Sequence, residues 1–162
     1  MVREILFRAK RLEDGKWVEG FYYKMNETTY AFADDYEKNP VPTHHYILFE
    51  RMTDWGLPNQ MYQVEVDGKT VCQYTGLNDK NGKKIFENDI LKISYTDGHE
   101  NYTEITEVNF DEKSASFSPW NWEYDCDGCD LYCHIEEIEI IGNTSDYPEL
   151  LENWKTEEGD EE

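Results

Sequence analysis

Arg3-Glu4-Ile5-Leu6-Phe7-Arg8-Ala9-Lys10 places Ile5, Phe7 and Ala9 on one side of an extended chain and Glu4, Leu6, Arg8 and Lys10 on the other. A period of two marks a half-buried strand. Asp14-Gly15 follows, and residues 16–23 resume an extended pattern, which predicts a hairpin. The same reading repeats along the chain. Residues 61–66 and 70–74 flank Asp67-Gly68 and predict a second hairpin with a type I′ bend. Asn81-Gly82 turns the chain into residues 83–86, and Asp97-Gly98 separates the runs 90–95 and 102–110. Residues 135–141 close the series, with Ile138 and Ile140 opposite Glu137 and Glu139. Short strands so closely punctuated predict a barrel or sandwich of antiparallel strands. No helical stretch between them is long enough for βαβ crossovers.

One helix is predicted, near the end. Pro148 suits a first helical position, Glu149 complements the helix dipole, and Leu150, Leu151 and Trp154 form an apolar face. Such a short helix needs docking to persist. Residues 26–42, with Asp34-Asp35, Pro40 and Pro42, read as a loop or edge excursion. The expected organisation is one mainly-β domain over residues 1–154, or two packed β subdomains, and a disordered acidic tail over 155–162.

Composition narrows the function. The 162 residues carry 15 Lys and Arg against 36 Asp and Glu, a net charge of −21, and 15% are aromatic. Aromatic density argues for a folded chain, since disordered sequences are poor in such residues. A polyanion argues against direct binding of DNA or RNA, whose affinity comes from Lys and Arg displacing phosphate counterions. Lys80, Lys83 and Lys84 gather some positive charge but read as a solvated hairpin tip. No run approaches the ~20 apolar residues of a spanning helix, and Met1-Val2-Arg3-Glu4 lacks an apolar leader. The expectation is therefore a cytoplasmic protein with no membrane partner. Its four cysteines should be reduced thiols, and the sequons at Asn26, Asn101 and Asn143 chance matches.

The most suggestive chemistry is Cys126-x2-Cys129-x3-Cys133-His134. Zinc takes four thiolate or imidazole ligands in a tetrahedron, and a CxxC turn supplies two of them. Against zinc, residues 133 and 134 point apart on an extended chain, and no second separated pair is present. Reduced loop thiols are the favoured reading, with zinc the alternative. Asp125, Asp127 and Asp130 raise the thiol pKa and so oppose a redox role. Residues 76–84 fail the spacing of a phosphate loop, and Asp79-Lys80-Asn81-Gly82 fails that of a calcium loop. His44, His45, His99 and His134 stand in no nucleophile context, and His44 and His45 face opposite ways on a strand. No catalytic set is visible. Trp17, Phe21, Tyr22 and Tyr23 suit core or cross-strand packing, whereas Trp120 and Trp122, in a loop-like stretch, are candidate anchors for a protein partner.

These residues also carry a resemblance. Residues 3–9 and Trp17-Val18-Glu19-Gly20-Phe21 resemble the opening of YopX-type phage and prophage proteins. The middle, from Gln73-Tyr74-Thr75-Gly76-Leu77 through Asn81-Gly82-Lys83-Lys84 to Asn88-Asp89-Ile90, is the most specific part. Ile141-Gly142-Asn143 and Glu149-Leu150-Leu151 are similar too. The resemblance implies a small mainly-β fold related to SH3-like barrels or rolls and a phage or prophage origin. It supplies no reaction and no catalytic residue. Asn88 stands where the family often has glycine, and the Cys126–His134 cluster is no part of its pattern. The motif has a structural account as well, with Asp89 binding backbone amides ahead of the next strand.

Three functions compete on these grounds. The first is a non-enzymatic accessory protein that works by contact with a host or phage protein, or with its own copies. The second is an acidic mimic of nucleic acid that blocks a host DNA-handling protein. The third is a metal site at Cys126, Cys129, Cys133 and His134.

Overall fold

In a computed structural model of the chain, residues 4–96, 101–113, 115–119 and 138–151 are described. They form a mainly-β fold of antiparallel sheets. The residues group into two compact units, 4–73 and 74 onward.

The first unit contains β1 (Phe7–Lys10), β2 (Trp17–Asn26), β3 (Thr43–Arg51) and β4 (Gln60–Glu65), in the order β4-β3-β2-β1. Cys72 and Gln73, at the start of β5 (Cys72–Asn78), pair with β1 on its other side. The predicted first hairpin is present, with Lys10 opposite Trp17 and Gly15 at φ +69° in the turn. Its ends then meet. Arg11 bridges Val66, Leu12 N donates to Glu65 O at 3.1 Å, and Asp67 N donates to Lys10 O at 2.8 Å. The sheet thereby curls into a roll around Ala9, Ile47 and Val66, with Phe7, Val18, Tyr22, Phe49 and Val64 against them. The other face of β1 is covered too: Leu6 and Arg8 are buried, the Arg8 guanidinium 4.8 Å from the Trp17 ring centroid.

The second predicted hairpin is not one. Residues 61–66 pair with β3, whereas Cys72 and Gln73 pair with β1. Asp67 instead caps a 3-10 turn over Gly68–Thr70, its carboxylate accepting from Lys69 N at 3.0 Å. Gly68 is needed there for room: a Cβ would lie within 2.7 Å of the His45 ring. Residues 26–42, read as a loop, include the six-residue helix α1 (Ala33–Lys38), with Asp34 and Asp35 in its first turn and Lys38 in its last.

The second unit holds the rest of β5, then β6 (Lys84–Phe86), β7 (Asp89–Thr96), β8 (Asn101–Asp111), β9 (Ser116–Pro119) and β10 (Ile138–Asn143). β5 and β6 form the hairpin predicted at Asn81-Gly82, with Gly82 at φ +79°. β7 and β8 form the one predicted around residues 97–98, and the sheet order is β10-β7-β8-β9. Ile85, Leu91, Ile93, Val108 and Ile138 make its core. Asn88 has φ +62°, a left-handed conformation that glycine adopts freely and asparagine tolerates. That accounts for asparagine at this position. The predicted terminal helix begins at residue 149, where Leu151 N donates to Pro148 O at 3.3 Å. Leu150 packs over Gly142, where a Cβ would come within 2.8 Å of its Cδ1. Trp154 and the acidic tail lie outside the described residues.

Candidate protein-contact site

The β3–β4 hairpin presents apolar side chains to solvent. Arg51 and Gln60 close the paired strands, and residues 52–59 span the tip. Asp54-Trp55-Gly56-Leu57 is a tight turn: Leu57 N donates to Asp54 O at 3.2 Å, and Gly56 takes φ +78°. The Asp54 carboxylate accepts from Trp55 N at 2.7 Å, and Thr53 Oγ1 donates to Pro58 O at 3.1 Å. Local bonds therefore fix the tip while its large side chains stay outside. Trp55 is 89% exposed, Met61 75%, Met52 60% and Leu57 58%. Large contiguous apolar patches are uncommon on soluble proteins, and Trp is enriched among residues that dominate binding energy, which makes this hairpin the candidate site.

The sheet behind the tip has two different faces. Val18, Gly20 and Tyr22 of β2 and His45, Ile47 and Phe49 of β3 turn to the core; there Tyr22 OH and His45 Nδ1 are 2.7 Å apart and their rings stack. The opposite face carries exposed Phe21 and Met25, the stacked pair Tyr23–Tyr46, and His44. His44 and His45 thus face opposite ways, as an extended chain requires. His44 Nδ1 lies 2.6 Å from Glu65 Oε1, and Nε2 lies 3.7 Å from Glu27 Oε1. The hydrogen bond to Glu65 holds the imidazole pKa above its usual value, against partial desolvation. This pair positions a proton, and among the described residues no hydrogen bond or ion pair brings a nucleophile to it.

The specific middle motif ties its own turns together through buried carboxylates. Asp79, almost closed to solvent, accepts from Asn81 N and Lys83 N at 2.9 Å each through Oδ1, and from Ile140 N at 3.3 Å through Oδ2. Residues 80–83 are exposed, as a solvated hairpin tip requires; Lys80 also pairs with Glu139, and the half-buried Lys84 sits 5.7 Å over the Tyr74 ring. Asp89 accepts from Phe86 N at 2.8 Å, as the turn chemistry predicts. Cys126, Cys129, Cys133, His134, Trp120 and Trp122 all lie outside the described residues. Among the described residues no cluster of His, Cys, Asp and Glu could hold a metal ion, and no helix is long and apolar enough to cross a membrane. The Trp55 tip was missed in sequence, although Asp54-Trp55-Gly56-Leu57-Pro58 joins turn residues to exposed apolar ones.

Fold and site together define a mainly-β protein built of two antiparallel units, one of them a roll that bears a fixed apolar hairpin. The chain belongs to the YopX family: the family described as YopX protein matches residues 6–152. No curated protein matches it. Among solved structures, the crystal structure of protein EF1440 from Enterococcus faecalis is similar at 20% identity, covering 93% of this chain and 99% of that one with a TM-score of 0.48.

Proposed function

We propose that this chain is a non-enzymatic accessory protein of a phage or integrated prophage, working in the bacterial cytoplasm by binding another protein. The exposed Trp55 of the rigid β3–β4 tip carries this reading. Leaving Trp55, Leu57, Met52 and Met61 in water has a free-energy cost that burial in a partner's pocket would recover. Membership of the YopX family supports the phage setting and supplies no catalytic residue to argue otherwise.

The test compares capture of partners by the wild-type chain and by Trp55→Ala and Leu57→Ala variants. Loss of a buried tryptophan anchor should weaken binding about 30-fold or more. Both variants should fold normally, because neither side chain is packed. Equal capture by wild type and variants would overturn the reading, as would turnover of a phosphoester, ester or glycoside abolished by a single substitution.

A further inference from the structure

β4 lies at the edge of its sheet. Antiparallel strands bond through directly opposite residues at alternate positions. Val66 N donates to His45 O at 2.9 Å, and the register Tyr46↔Glu65 continues that pairing along the hairpin. Val64, Tyr62 and Gln60 therefore turn their backbone groups to β3, and Met61, Gln63 and Glu65 turn theirs away. Leu12 N takes the Glu65 carbonyl. Among the described residues, no backbone hydrogen bond reaches the outward groups of Met61 or Gln63. β4 is the terminal strand of its sheet, and Gln60–Glu65 contains neither the lysine nor the proline with which natural edges are usually blocked.

We propose that an extended, lysine- or arginine-bearing segment of another protein adds to β4 as a further strand, hydrogen-bonded to Met61 and Gln63, with apolar side chains laid along Met61. The inference rests on the contact reading and names the partner's chemistry. Two outward residues offer two donors and two acceptors, enough for a segment of about four residues. Charge selects the occupant: a chain at −21 attracts a basic segment and repels a second copy of itself.

Amide hydrogen exchange on the full chain tests this, with a synthetic peptide alternating lysine and valine as the probe and a glutamate–valine peptide as control. The lysine peptide should slow exchange at the Met61 and Gln63 amides, and added salt should weaken the effect. Met61→Pro removes one outward N–H while leaving the β3 ladder whole, and should weaken peptide binding about tenfold. Gln63→Pro gives the same reading at the second position if the first variant does not fold. Unchanged exchange at both amides, equal protection by the glutamate peptide, or protection that comes from a doubling of mass without peptide would each overturn the proposal. Trp55→Ala should leave this protection intact, so failure at the edge is distinguishable from failure at the tip.

Discussion

Asp79 shows how a single side chain can hold a turn and a neighbouring strand together. Burial pushes its pKa up, but the backbone amides of Lys83, Ile140 and Asn81 more than offset that, and the result lies below the usual aspartate value. A lowered folded pKa contributes stability that is present above the unfolded value and lost as pH falls through the folded one. Asp79→Asn should therefore cost about 2 kcal/mol at neutral pH, and urea titrations should show the gap to wild type closing below pH ~4. His44 has the opposite sign. Its raised pKa gives a contribution complete below pH ~6.5 and lost as pH rises through the folded value. NMR titration should place the His44 pKa above the ordinary histidine value and Glu65→Gln should lower it; an unchanged value would break the assignment to Glu65.

Elements were legible in sequence wherever the local code was sufficient. Alternation in residues 3–10, Asp14-Gly15 and Asn81-Gly82 gave strands and hairpins that are present. Asp67-Gly68 carried the same turn signal, yet strand choice there was settled by distant partners, because β3 competes for β4 and β1 for β5. β3 itself was not read as a strand, and α1 was hidden among prolines and acids. The β2–β3 pair depends on one close approach: a Cβ on Gly20 would lie 2.1 Å from Leu48 O and 2.9 Å from Ile47 Cγ2. Backbone cannot yield as a flexible side chain does. Gly20→Ala should cost about 3 kcal/mol or more, read as a lower denaturant midpoint, whereas Gly82→Ala is strained only by its φ of +79°.

At the scale of the molecule, acidity is the dominant long-range force. A net charge of −21 on 162 residues repels itself in the folded state, and salt screens that repulsion beyond about 8 Å at physiological strength. The melting temperature should rise by several degrees between low salt and about 0.5 M sodium chloride; a flat or falling profile would mean that attractions salt also screens, such as Lys80–Glu139 and Arg11–Asp14, outweigh the net repulsion. Sequence by itself determined the mainly-β class, the hairpins with adjacent partners and the turn role of Asp89, because period and turn chemistry act between neighbours. Only the tertiary structure decided which strand β4 joins, that Arg11 meets Val66 to curl the first sheet, and that Trp55 stands in solvent while Arg8 is covered. Those outcomes depend on contacts between residues far apart in the chain, and local preference carries no information about them.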